Sequence, residues 1–216
     1  MRINYKIDWQ ALGTMEGSKK LTSKKYQILD VALKIIRNDG LQNLSVTEIS
    51  RQTEFSKSLI LYHYESKERI LEDLVFFLFK MGEYFITNSL HEDNSFEVKI
   101  RDMVAAHFRW YLFNDEVSEI ITLLPHLKEK SLALKNHYKN HQIFLTREWE
   151  RIFLESLRFR SMEELRISVF GVRSLVDGAL NSLVTSPERA QYQEQALRLK
   201  FNLETLLRVE LPSFDF

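Results

Sequence analysis

The chain has 216 residues and 25.7 kDa, 44% of them hydrophobic and 28% charged, which suffices to bury a core in one or two domains and excludes global disorder. Six Gly and three Pro leave too few turn residues for an all-β sandwich or barrel, and the absence of Cys excludes a disulfide scaffold, an Fe–S cluster, thiolate zinc and a Cys nucleophile. The net charge is zero but uneven: residues 1–67 hold 11 Lys/Arg against 7 Asp/Glu, the remainder 19 against 23, so a basic front joins an acidic body.

Residues 1–17 are expected to form a disordered arm or to lie upstream of a true start at Met15. In it Ile3, Tyr5, Ile7 and Trp9 alternate with polar residues at strand spacing, although no partner strand is evident. The basic stretch that follows holds Lys19, Lys20, Lys24 and Lys25, which could reach a nucleic-acid backbone or stay solvated. Ile28, Leu29, Ala32, Ile35 and Ile36 make one apolar stripe of a helix that stops at Gly40, expected in the left-handed C′ conformation. Ser45 and Glu48 form a capping box, with Leu44 able to staple onto Ile49. Ser56 caps a third helix running to about Tyr64, and Ser66 caps a fourth with Ile70, Leu71, Leu74, Phe77, Leu78 and Met81 on one face.

From residue 95 only helical periods appear. Helices are expected over about 95–113, 116–130, 132–159, 162–184 and 187–209, the last with Ser186 as N-cap and Pro187 at N1. The fold class is all-α, with about nine helices. The longest strongly apolar run, LVFFLF (74–79), is too short to cross a bilayer. The N-terminus shows no apolar signal region, so the expected location is cytoplasmic.

Residues 45–64 read as a short capped helix, a tight turn and a second short capped helix, a helix-turn-helix layout. The first turn of the second helix presents Ser56, Lys57 and Ser58, with Tyr62 and His63 further along. Hydroxyls, lysine and a helix N-terminus suit phosphate oxygens and base edges. Two short core helices with incidental polar faces are the other reading of the same pattern.

The segment SVTEISRQTEFSKSLILYHYESK (45–67) resembles the DNA-binding signature of TetR-family (tetracycline-repressor-like) transcriptional regulators. Val46, Ile49, Ser56 and Lys67 match that signature outright, while Ser45, Ser50, Phe55, Ser58, Ile60 and Tyr64 are similar replacements. Three positions depart from it. Glu54 stands for the turn glycine, Thr53 for a small packing alanine, and Leu61 for a phosphate-touching tyrosine whose role the next residue, Tyr62, could take. The resemblance covers about 25–71 and implies a helix-turn-helix DNA-binding domain over 18–67 and a helical effector-binding and dimerisation domain over 68–216. It places Ser45, Thr47, Lys57, Tyr62, His63 and Lys67 at positions that meet DNA, with Ser58 and Leu59 nearest the base edges and Leu59 able to touch a thymine methyl.

In the body, Leu165, Val169, Val172, Val176, Ala179 and Leu183 recur at 4, 3, 4, 3, 4, and Tyr192, Ala196, Leu199, Leu203 and Leu206 at 4, 3, 4, 3. Gly171, Ser174, Gly178 and Ser182 form a small-residue ridge beside the first seam. Two such helices from each of two chains would make the four-helix homodimer bundle that the family uses, with Leu165, Val169, Val172, Val176, Ala179, Leu183, Leu199, Leu203 and Leu206 at the interface. An intramolecular core is the alternative. The family resemblance also implies an effector pocket among the aromatics of the middle helices, with His107, Tyr111, His126 and Phe144 expected to face a partly apolar small molecule.

No catalytic residue, metal site or cofactor is expected. Walker A, GxSxG and GxGxxG motifs are absent. His137 and His141 have i, i+4 spacing but no evident third ligand. Glu163/Glu164 and Asp115/Glu116 read as charges at helix starts. The expected function is a repressor-type regulator that binds a palindromic operator as a dimer and is released by a small-molecule effector, without membrane association. The alternative is a dimeric module of the same fold with degraded DNA binding, motivated by Glu54 and Leu61, that acts through a protein or ligand partner.

Overall fold

The computed structural model describes residues 9–14, 18–112, 115–127, 129, 131–185 and 190–214. Among them the regular structure is helical throughout: α1 (Trp9–Thr14), α2 (Ser23–Asp39), a 3-10 turn (Leu41–Asn43), α3 (Val46–Arg51), α4 (Lys57–Tyr64), α5 (Lys67–Ser89), α6 (Phe96–Leu112), α7 (Asp115–Leu127), α8 (Leu132–Glu155), α9 (Met162–Thr185) and α10 (Ala190–Leu207). The all-α expectation holds. No helix among the described residues is long and apolar enough to cross a membrane.

The strand spacing noted in the arm does not become a strand where the structure describes it. Trp9–Thr14 is helical, with Leu12 buried. A lone alternating segment has no neighbour to take its ladder hydrogen bonds, whereas a helical turn satisfies its own. Ile3, Tyr5 and Ile7 lie outside the described residues, as do Ser186 and Pro187.

The Ser45, Ser56 and Ser66 caps anticipated from sequence are formed, although the Glu48 carboxylate accepts from Arg51 and Gln52 instead of closing the capping box. Ser45 Oγ accepts from the Glu48 amide at 3.1 Å, Ser56 Oγ from the Leu59 amide at 3.2 Å and Ser66 Oγ from the Arg69 amide at 3.4 Å. Each satisfies a donor that the first helical turn leaves free. Gly40 ends α2 at φ 85° and ψ 159°: the positive φ is as expected, but its ψ is extended rather than left-handed helical. α8 stops at Glu155, short of the expected 159, because the Ser156 and Leu157 amides fold back on Phe153 and Leu154 and Leu157 adopts φ 52°.

Two compact units are present. One comprises 1–81 and 114–138, the other 82–113 and 139–216. In the first, α2 packs on the 3-10 turn, α3, α4 and α7. Its stripe of Ile28, Leu29, Ala32, Ile35 and Ile36 is fully buried with Ile49 and Ile60. Glu119 of α7 accepts the Leu41 amide at 2.6 Å, pinning the loop that enters the helix-turn-helix. In the second unit α9 packs on α10 and α6. Its aromatic core includes Trp149 edge-on to Phe153 at 6.3 Å and Phe96 edge-on to Phe153 at 5.4 Å.

Candidate nucleic-acid interface

α3 and α4 pack against each other and on α2. Their buried anchors are Ile49, Ile60 and Tyr64, one turn apart on α4, so the opposite face of α4 must be solvent-facing. That outer face carries Lys57, Ser58, Leu61 and Tyr62, all exposed, Tyr62 to 81%. Ser56 is exposed at the cap and lies 2.9 Å from the Ser58 hydroxyl. Thr47 is exposed on α3, and Ser45 is half-buried because its hydroxyl serves as a cap.

Leu59 and His63 are half-buried on the flank of α4 rather than at its front. The outward apolar side chain is Leu61, 42% exposed, one of the three departures from the family signature. The 57, 58, 61, 62 spacing of one helix face carries that signal, once Ile60 and Tyr64 are known to point inward. Lys67 is the first residue of α5, half-buried behind its Ser66 cap.

The turn joining the two helices explains how Glu54 and Thr53 are tolerated. Among the described residues positive φ occurs only at Gly40, Glu65, Leu157 and Arg208, so the turn needs no glycine at 54. Side chains hold it instead. Thr53 Oγ1 donates to the Ile49 carbonyl at 2.9 Å and accepts from the Phe55 amide at 3.2 Å, while Ser50 Oγ donates to the Phe55 carbonyl at 2.8 Å. Glu54 is exposed. The other acid of α3, Glu48, is engaged by Arg51 and Gln52, which hold its carboxyl down to about 2.

The basic approach is partly redirected. Lys20 and Lys24 are exposed. Lys19 turns inward to Asp73 and lies over the Phe76 ring at 4.7 Å, and Lys25 lies over the Tyr64 ring at 4.6 Å.

With this geometry in place, the family profile described as bacterial regulatory proteins, tetR family, matches residues 28–74, which span α3, α4 and the first turns of α5. The chain carries the DNA-binding segment of the TetR family over residues 28–74. It is a DNA-binding transcriptional regulator, and α3–α4 are its helix-turn-helix. A fatty acid metabolism regulator protein of Bacillus subtilis (strain 168) is 24% identical over 170 residues, 78% of this chain and 85% of that protein. A transcriptional regulator from Rhodococcus sp. Rha1 has the same fold, with TM-score 0.72 and 12% identity over 87% of this chain and 97% of that one. So does the transcriptional regulator FadR from Bacillus subtilis, solved in complex with stearoyl-CoA: TM-score 0.64, 18% identity, over 84% of this chain and 96% of that one.

The regulator's expected pocket residues are dispersed. His107 (2% exposed) and Tyr111 (8%) are buried on α6, and Phe144 is half-buried on α8 in the same unit, stacked on His141 at 6.5 Å. His126 belongs to the other unit and is exposed at the end of α7. His107 Nδ1 bonds the Met103 carbonyl at 2.8 Å, so Nδ1 is the donor and Nε2 is left as an acceptor. Burial lowers its pKa to about 4. Around it sequence reasoning missed a buried polar cluster. His141 Nδ1 lies 3.3 Å from Glu83, and Arg173 bonds the Gln142 carbonyl at 3.3 Å, the Gln142 amide oxygen and the Thr146 hydroxyl. The 31-residue separation of Arg173 from Gln142 leaves no local signal.

His137, half-buried in the first unit, instead leans on Phe76 at 5.2 Å. No group of three or more His, Cys, Asp or Glu among the described residues could hold a metal. Glu164 closes a cap at the start of α9: its carboxylate accepts the Arg160 amide at 2.8 Å while its own amide donates to Ser161 Oγ at 3.1 Å.

The expected dimer seam lies inside the chain. Leu165, Val169, Val172, Val176, Leu183, Leu199 and Leu203 are all at most 3% exposed within one protomer, so they belong to the core of the second unit, where α9 packs on α10 and α6. Ala179 is half-buried, and Leu206, 43% exposed, packs a methyl 3.1 Å from where a Cβ on Gly171 would stand. Heptad spacing identifies an apolar seam but not whether its partner belongs to the same chain. The exposed ridge runs beside it: Ile167 (65%), Phe170 (74%), Leu197 (68%) and Phe201 (67%), with Gly178 opening on empty space.

Proposed function

We propose that the protein binds a palindromic operator as a homodimer, with residues 18–67 on the DNA and 68–216 supplying the dimer contact and the effector site, and that a long-chain acyl-CoA effector releases it. The observation that carries the DNA reading is the outer face of α4. An exposed Lys57, Ser58, Leu61 and Tyr62 stand on a helix whose other side is locked by Ile60 and Tyr64. Lys57, Thr47, Tyr62 and Lys67 serve the phosphates, and Lys67 gains from the α5 N-terminus. Ser58 reads base edges, and Leu61 rather than Leu59 meets a thymine methyl. Ser45 and Ser56 act chiefly as caps, and His63 backs Tyr62.

One recognition helix makes few contacts, and a two-fold dimer doubles them across half-sites about one helical turn (~34 Å) apart. The dimer surface assigned is the exposed ridge of Ile167, Phe170, Leu197 and Phe201. Release follows from linkage: effector binds better to the conformation whose two heads fail to match successive major grooves. The acyl-CoA class is taken from the stearoyl-CoA complex of FadR, and His107, Tyr111 and Phe144 are the residues assigned to it. Such a regulator works in the cytoplasm.

Selection of bound duplexes from a random pool tests the first step. An enriched palindrome is expected, and retention of duplexes without any shared sequence would reject the operator reading. Operator affinity is then measured with and without stearoyl-CoA. A fall is expected, and equal affinity with ligand bound would reject the switch.

A further inference from the structure

The recognition helix ends on a strained turn. Glu65, between α4 and α5, adopts φ 57° and ψ −42°, a conformation that L side chains rarely take. Such a backbone persists only where the contacts around it fix it. Glu65 itself is exposed, so the hold comes from the residues on either side.

Those contacts converge on one carboxylate. Asp73, in the second turn of α5, is buried. Tyr64, the last residue of α4, is 3% exposed and reaches across the turn, its hydroxyl donating to Asp73. Lys19, from the basic stretch ahead of α2, pairs with the same carboxylate. Its ammonium also lies 4.7 Å from the ring centroid of Phe76, three residues further along α5, so both of its contacts are on one face of that helix. The neighbouring acid, Glu72, has partners of its own in Arg69 at 2.8 Å and the Ser131 hydroxyl at 2.5 Å, which leaves Lys19 to Asp73. A carboxylate repels phosphate, so anything Asp73 adds to DNA binding has to be positional.

We propose that Asp73 is a positioning residue for DNA recognition, tying the end of the recognition helix and the basic stretch before α2 to α5 without itself meeting DNA. Through Tyr64 it fixes the last turn of α4, where Tyr62 stands 81% exposed. Through Lys19 it fixes the segment that carries the exposed Lys20. One buried group on α5 thereby sets the pose of two parts of the DNA-binding unit at once.

The first part of the test uses the full-length protein without DNA, so its outcome is independent of the operator reading. Tryptic cleavage after Lys20 reports release of the segment, because proteolysis follows the population of the open form. Asp73→Asn and Lys19→Met should each speed it, by about tenfold. Met keeps an unbranched stem beside Phe76. The double variant should cleave no faster than either single one, since both remove the same pair. Tyr64→Phe, which leaves that pair in place, should cleave as the wild type does. Wild-type cleavage in Lys19→Met, or additive rates in the double variant, overturns the clasp. Thermal midpoints separate release from unfolding; if Asp73→Asn unfolds, Lys19→Met and Tyr64→Phe carry the test. The second part rests on the operator reading and measures operator affinity. Asp73→Asn should lower it about tenfold and Tyr64→Phe about threefold, on the order of one buried hydrogen bond or pair. Loss of an acid with no positional role would raise the affinity, so a rise or no change in Asp73→Asn or Tyr64→Phe overturns the proposal.

Discussion

At the scale of single residues, Lys57 and His107 show two different uses of charge. Lys57 is exposed at the first turn of α4, a turn that holds no acidic residue. A lysine in that setting contributes by displacing counterions from phosphate, a term that carries no sequence information but a definite salt dependence. Lys57→Ala should therefore lower affinity for every duplex alike and flatten the slope of log K against log salt by about one unit. Filter binding between 50 and 200 mM salt, on the order of the usual working range, measures this. An unchanged slope would remove Lys57 from the phosphate contacts and favour a module with degraded DNA binding. His107 is the opposite case, a base buried neutral. Its folded pKa of about 4 lies below the unfolded value of 6.5 because burial disfavours the charged ring. The sign follows. Above pH 6.5 the stability is intact. As pH falls towards 4 the unfolded chain takes up a proton that the folded chain refuses, and about 3 kcal/mol is lost. His107→Phe, which keeps a ring beside Trp149, should remove most of that loss in urea unfolding measured at pH 7 and pH 4.

At the scale of elements, helix approach is set by what the side chains allow. Gly82 on α5 stands where a Cβ would fall 2.7 Å from Trp110 Nε1 of α6, and Trp110 is 4% exposed. Alanine there gains about 1 kcal/mol of helix propensity. It must also displace a buried indole, which costs typically 1–3 kcal/mol. Packing wins, so Gly82→Ala should lower the thermal midpoint and alter tryptophan emission; a raised midpoint would show that the α5–α6 contact has slack. The elements most legible from sequence were those with their own stop and start signals. Ser45, Ser56, Ser66 and Gly40 bracket α2 to α5, because caps act over three or four residues of chain. The turn held by Thr53 and Ser50 was less legible, since hydroxyls replace the glycine that the resemblance calls for. What periodicity could not convey is which surface an apolar stripe meets. Leu165, Val169 and Val172 face the core of their own chain, while Phe170 beside them faces out. Pairs distant along the chain, such as Arg173 with Gln142 or Glu119 with Leu41, leave no local pattern at all.

At the scale of the whole molecule, the α9–α10 ridge decides whether one chain can act alone. Ile167, Phe170, Leu197 and Phe201 are each about two-thirds exposed or more, and Gly178 offers room for a close helix. Large apolar side chains left outside the core on one helix pair mark an interaction surface. Burying each such side chain stabilises by about 1.5–3 kcal/mol. In a two-fold contact every residue is buried twice, so four residues supply on the order of 16 kcal/mol against an association cost of roughly 4–15. The balance favours a dimer, but narrowly enough for one residue to reverse it. Phe170→Glu removes two phenyl contacts at a stroke, a loss of about 4 kcal/mol or roughly a thousandfold in Kd, before the desolvation of two carboxylates is added. Within one chain Phe170 is 74% exposed, so the substitution leaves the fold of the monomer intact. Sedimentation should give twice 25.7 kDa for the wild type and 25.7 kDa for the variant at the same micromolar loading. Operator affinity should fall with it, since two unlinked heads must find their half-sites separately. A Phe170→Glu protein that stays dimeric would place the two-fold contact elsewhere on the chain, and one that becomes monomeric yet keeps full operator affinity would remove the reason for a palindromic site.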